Sequence, residues 1–142
     1  MQSILIAPCG MNCALCAGYL AYSHHLKKVR GKIHHCQGCR IRNKQCAFLK
    51  GRCKNKKLLN NEINYCFECR YFPCSSLKAI DERYRMRYHM SMIDNLLFIR
   101  ENGVKKFLTK EYKKWQCKKC GDIICCHNGK CYHCDKIKSW KA

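Results

Sequence analysis

Carboxylates are missing from the first 61 residues of this 142-residue chain, and only nine Asp or Glu follow. Long apolar runs are missing too, so no membrane span and no membrane partner are expected. The stretch Ser3-Ile4-Leu5-Ile6-Ala7 is apolar but ends at Pro8, and no basic residue precedes it, so no secretory leader is expected and the chain reads as cytoplasmic. Apolar residues are themselves scarce. The hydrophobic share of 47% counts all 16 cysteines, and without them about 36% remains, below the usual apolar share. So thin a core needs metals or cross-links to supply part of its stability. In a reducing compartment a cysteine-rich pattern means metal ligands rather than disulfides.

The cysteines fall into recognisable groups. Cys9, Cys13 and Cys16 have C-x3-C-x2-C spacing, three thiols too close in sequence to do anything but converge, with a fourth ligand due from far downstream. Cys36 and Cys39 form a C-x-x-C knuckle around Gly38, with Cys46 and Cys53 following at even spacing. Cys66 and Cys69 form a second knuckle, trailed by Cys74. Cys117 and Cys120, then Cys131 and Cys134, are two knuckles with ten residues between Cys120 and Cys131, a strong zinc-ribbon signal with a short strand expected at Ile123 and Ile124. The preferred partition puts Cys36, Cys39, Cys46 and Cys53 in one centre and joins Cys9, Cys13 and Cys16 to one of Cys66, Cys69 or Cys74 in another. Cys125, Cys126 and His127 are spare thiols, a site rim or alternative ligands.

Helical patterns surround the thiols. Leu15, Tyr19, Tyr22, Leu26 and Val29 make one apolar stripe closed by Gly31, with Cys13 and Cys16 at its first turn and His24 and His25 on its polar side. A turn of helix is expected around Leu58 and Leu59. From Ser75 to Trp115 there are no cysteines, and stripes at Leu77, Ile80, Tyr84 and Tyr88, at Ile93, Leu96 and Leu97, and at Leu108, Tyr112 and Trp115 predict three helices, the second capped by Ser91 and the break marked by Gly103. The expected fold is mainly α with irregular metal-knuckle regions, a small α+β arrangement ending in a zinc ribbon. Its segments are a cysteine-rich module over 1–74, helices over 75–115 that cover it, and the ribbon over 116–142.

The formal charge is +20, and twelve Lys or Arg crowd Lys27 to Lys57. Four zinc sites of four thiolates each would lower that net charge to about +12, because each carries about two negative charges. The lysines therefore balance thiolates first, and the excess left over suits a nucleic acid or an unknown protein partner.

Three function classes follow. The first is a binding or adaptor module held together by several zinc ions. The alternative is an iron-sulfur protein with a 4Fe-4S cluster on Cys9, Cys13 and Cys16, although no glycine-rich cofactor segment follows that triplet. A thiol hydrolase pairing Cys74 or Cys126 with His127 finds no carboxylate to orient the base, so no catalytic residue is assigned.

The residues Ala7-Pro8-Cys9-Gly10-Met11-Asn12-Cys13-Ala14-Leu15-Cys16, Cys36-Gln37-Gly38-Cys39-Arg40, Cys66-Phe67-Glu68-Cys69 with Phe72-Pro73-Cys74, and the run from Arg83-Tyr84-Arg85 to Ser91-Met92-Ile93-Asp94-Asn95-Leu96 together resemble a prokaryotic family, domain of unknown function 3795. The likeness is read on to the C-terminus through Trp115-Gln116-Cys117-Lys118-Lys119-Cys120-Gly121 and His127-Asn128-Gly129-Lys130-Cys131. It implies a cysteine-rich metal protein and brings no activity.

Overall fold

The computed structural model describes residues 1–141. Among the described residues six α-helices carry the fold: α1 (Ala17–Ser23), α2 (Ala47–Arg52), α3 (Lys56–Leu59), α4 (Ser75–Tyr88), α5 (Met92–Asn102) and α6 (Val104–Trp115), with 3-10 turns at Ser3–Leu5, Cys13–Leu15 and Cys66–Glu68. Strand structure among the described residues amounts to isolated bridges, Ile6 to Asn12, Val29 to Ile33, Gln116 to Ile123 and Ile124 to Cys131. The α+β expectation therefore reduces to a mainly helical fold with little strand. Ile123 and Ile124 each pair with one residue and go no further.

The last three helices start and stop where the sequence says. Ser91 caps α5 by accepting from the Asp94 amide at 3.0 Å, which satisfies one of the free donors of a helix start. Gly103, at φ 86°, ends α5 and starts α6. Asp81 on α4 fixes the corner between α4 and α5. Its carboxylate accepts from the Ser91 hydroxyl at 2.7 Å, the Ile93 amide at 3.0 Å and Arg85 at 2.7 Å, while Arg85 also reaches Asp94 at 2.9 Å. Burial opposes ionisation of Asp81, yet these donors win and hold its carboxyl below the usual range.

Two segments differ from expectation. The first helix spans only Ala17–Ser23, because His25 turns left-handed at φ 55° and the Leu26 amide reaches back to the Ala21 carbonyl, a Schellman-type stop. Leu15 then belongs to the preceding 3-10 turn, and Val29 pairs across a tight loop with Ile33. The stretch between Cys46 and Cys53 is the helix α2, whose Leu49 is fully buried. A single apolar anchor over six residues is too little periodicity to read in advance.

The principal core joins Leu5, Leu15, Leu49, Leu58, Leu77 and Leu96 with buried Cys9, Cys13, Cys39 and Cys126. A second apolar group, Ile6, Ile99 and Phe107, sits where the opening segment meets α5 and α6. The long helices thus back the cysteine loops and fix the position of the opening motif. The tightest contact is at Gly10, where φ is +88° and an added Cβ would lie 2.4 Å from the Met92 carbonyl oxygen. Asn95 completes that contact by donating to the Gly10 carbonyl at 2.9 Å.

Candidate metal centre

The C-terminal centre is built from two similar loops. After α6 the chain turns at Cys117, whose amide bonds the Asp122 carbonyl at 2.6 Å, and Gly121 at φ 80° lets the loop close back on the Cys117 carbonyl. The second loop repeats the device: Asp135 accepts from the Cys131 amide at 2.9 Å and returns its own amide to the Cys131 carbonyl. Each loop aims amides at its first sulfur. Those of Cys120 and Lys119 pull the Cys117 thiol down to about 7, whereas burial raises Cys131 despite amides from Cys134 and His133.

The sulfurs of Cys117, Cys120, Cys131 and Cys134 all lie within 4.8 Å of one another, with Cys120 and Cys131 at 3.5 Å. A tetrahedral ion with metal–sulfur bonds of about 2.3 Å needs sulfurs about 3.8 Å apart. The four thiols can hold a metal ion. Cys117 and Cys131 are buried while Cys120 and Cys134 are exposed, so the centre lies at the surface, and Tyr112 of α6 donates to the Gly121 carbonyl of its first loop at 3.0 Å.

The residues between the two loops, which sequence reasoning left open, dock the whole segment. Cys125 and Cys126 are buried, and the Cys126 amide bonds the Leu15 carbonyl at 3.0 Å. His127 Nδ1 accepts from the Ala17 amide at 3.2 Å and its Nε2 lies 3.1 Å from the Tyr84 hydroxyl. A ring that accepts at Nδ1 is neutral there, so its proton sits on Nε2 and faces Tyr84. Burial, with His34 nearby, correspondingly lowers His127 to about 4. These three residues are anchors. The signal available was their position midway between knuckles, where a ribbon tip would otherwise be polar.

The upstream thiols are placed differently. Among the described residues only the C-terminal four meet the 4.8 Å condition. The opening loop is closed by the Ala7 amide on Met11 and the Gly10 amide on Ala7, and Asn12 caps the next turn through the Ala14 amide at 3.1 Å. Cys16 caps α1. Cys36 is drawn to that helix by its amide on the Gly18 carbonyl, and its sulfur accepts from Arg42 at 3.4 Å. Cys39 lies 3.8 Å from Cys46, and its amide points at the Cys13 sulfur at 3.5 Å. The Cys39 thiol donates and so is raised, whereas the accepting Cys46 is pulled down to about 6. Burial lifts Cys9 well above the ordinary thiol range and Cys13 to about 12.

The preferred partition of the upstream cysteines needs one change. Cys46 is the N-cap of α2 and Cys53 its C-cap, which separates their backbones by about 10 Å at 1.5 Å per residue. Thiols at opposite ends of an intact helix do not meet on one ion. Cys53 instead lines a cavity with Cys66, Cys69 and Cys74. The Cys66 amide bonds the Pro8 carbonyl at 2.8 Å, which sets that knuckle against the opening motif and puts Cys66 near enough to Cys9 for its charge to raise the Cys9 thiol. Of the histidines, His24 pairs with Asp122 at 3.1 Å and His35 lies 2.6 Å from the Leu26 carbonyl.

A family model described as a protein of unknown function, DUF3795, matches residues 5–79. The matched stretch holds the ten upstream cysteines and ends within α4, so the C-terminal centre lies beyond it. No curated protein and no solved structure matches significantly. No helix among the described residues is long and apolar enough to cross a membrane.

Proposed function

We propose, for a chain that belongs to the DUF3795 family, that it is a cytoplasmic, zinc-stabilised binding module whose basic surface contacts nucleic acid or an acidic protein partner. The observation that carries this reading is the convergence of Cys117, Cys120, Cys131 and Cys134 within 4.8 Å. Four thiolates fill a zinc ion's coordination shell and leave no position for substrate, so such a centre holds structure rather than performing chemistry. The C-terminal segment is in this reading a zinc ribbon.

Charge supports the second half of the proposal. The net charge of +20 exceeds what four filled thiolate sites would offset, and Lys118, Lys119, Lys130 and Lys136 cluster around the C-terminal centre in sequence. Binding to a polyanion through such lysines releases counterions and weakens steeply with salt.

Elemental analysis and a visible spectrum of protein purified without oxygen test the metal. Zinc in a colourless solution, reduced by one ion in Cys117→Ser, is the expected result. An unchanged metal content in that variant overturns the ribbon. Iron with acid-labile sulfide and a brown absorbance would favour the alternative, a 4Fe-4S cluster using Cys9, Cys13 and Cys16. RNA and DNA binding that survives 0.5 M salt unchanged, or is absent at low salt, overturns the electrostatic contact.

A further inference from the structure

A cavity of about 470 Å³ lies between α2, the Cys66–Glu68 turn and the start of α4, and four thiols line it: Cys53, Cys66, Cys69 and Cys74. Three elements bring them there. Cys53 ends α2, Cys66 and Cys69 bracket the 3-10 turn, and Cys74 is the N-cap of α4 with no side-chain cap hydrogen bond of its own. We propose that Cys53, Cys66, Cys69 and Cys74 form a second thiolate metal centre, separate from the C-terminal one.

Three independent features fit a bound metal. Asn55 Nδ2 donates to the Cys69 sulfur at 2.9 Å, the kind of outer contact that orients a metal-ligating thiolate. Arg52, Lys54 and Lys56 line the same cavity, and a divalent ion with four thiolates carries about two negative charges for them to offset. The inner wall is made by Leu49, Leu58 and Leu77, all fully buried, so water is kept from the far side. An incoming divalent ion displaces the four thiol protons to solvent and forms four metal–sulfur bonds.

The spacing distinguishes this centre from the C-terminal one. No three of its sulfurs lie within 4.8 Å of one another, so a single ion must draw them inward, whereas an iron-sulfur cluster holds its thiolates wider apart. Both ligands are thiolate-bound metal, and the test separates them.

Wild type, Cys69→Ser, Cys53→His, Cys36→Ser and Cys117→Ser are purified without oxygen and analysed for zinc, iron and acid-labile sulfide, with circular dichroism as the check of folding. Cys69→Ser is expected to lose one zinc ion, or the full iron and sulfide of one cluster, while Cys36→Ser leaves this centre filled. Cys53→His is the second readout where serine variants fail to fold. Histidine keeps the ligand number, so cobalt-loaded Cys53→His is expected to retain its metal with d–d bands shifted to shorter wavelength and a weaker sulfur-to-cobalt band. A folded Cys69→Ser with wild-type metal content, or a Cys53→His cobalt spectrum identical to wild type, overturns the centre. The C-terminal reading fails separately, through an unchanged count in Cys117→Ser.

Discussion

The two cysteine regions solve the same problem by opposite routes. At the C-terminus four thiols from two short loops converge within 4.8 Å at the surface, and each loop is self-contained, with its own turn and its own amides on sulfur. Upstream, the ten thiols come from six separate segments, most are wholly or partly buried, and long-range contacts set their positions. The first region needs little beyond local backbone geometry. The second is held by the helices α4 to α6 packed behind it, so its thiols are placed by the core as much as by any metal. The difference teaches that sequence spacing defines a centre where the ligands share one short stretch of chain and fails where they are delivered by tertiary structure.

The largest expected effect tests that contrast directly. A structural zinc ion contributes folding free energy of about 10–16 kcal/mol in small isolated modules, so Cys117→Ser should release one ion and open residues 116–135 to protease while α4 to α6 keep their helicity. Cys13→Ser should lower the melting temperature of the whole protein, because Cys13 lies in the principal core. Equal proteolytic maps for the two variants would erase the distinction between a local and a tertiary site. Next in size is Gly10→Ala, which removes no thiol. A Cβ there meets the Met92 carbonyl oxygen at 2.4 Å and the backbone is at φ +88°, so the loss should be about 3 kcal/mol or more in thermal or urea unfolding. The C-terminal ion should remain bound in the folded fraction, and its loss there would show that the two regions are not separable.

Legibility followed the same line. The convergence of the four C-terminal thiols, the Ser91 cap and the Gly103 break could be read because each rests on residues close in sequence, the four thiols within 18 positions. That Cys53 lines one cavity with Cys66, Cys69 and Cys74 was not readable, because even spacing of Cys46 and Cys53 hides the helix between them. The early stop of α1 depends on one left-handed histidine, a conformation that apolar periodicity does not register. The docking role of Cys125, Cys126 and His127 is a property of the partners, Leu15, Ala17 and Tyr84, more than a hundred or forty positions away. The family match covers 5–79 and so leaves the most legible centre outside it.

A smaller effect concerns the helices that back the upstream thiols. Asp81 is 4% exposed and serves three donors, so Asp81→Asn should cost about 2–3 kcal/mol by leaving buried donors poorly paired. Asp94, exposed and paired only with the far end of Arg85 apart from its amide, should cost less than about 1 kcal/mol as Asp94→Asn. Urea midpoints of the two variants decide the order. Equal losses would mean that the α4–α5 corner is not where this support is concentrated.

The last predicted effect concerns the joint between the two regions, and it is a pH effect. Folded His127 is held neutral, with burial and then His34 lowering it to about 4 from the ordinary 6.5. The unfolded chain therefore binds more protons between those values, and stability rises with pH across that window. The contribution is fully present above about 6.5, falls as pH drops and levels off below about 4. At pH 5 the loss is about 2 kcal/mol for an unscreened site and less for a ring that is partly exposed. The groups involved are few: Ala17 donates to Nδ1, Tyr84 receives the Nε2 proton, and protonation of Nδ1 breaks the first of these bonds. His127→Gln should be less stable than wild type at pH 7 but show a flatter stability profile from pH 6.5 to 4. Acid release of thiolate-bound metal also destabilises the fold, yet it acts equally on both proteins, so the difference between their urea midpoints isolates the histidine. A difference that stays constant across that pH range would mean His127 does not couple proton binding to the docking of the C-terminal centre.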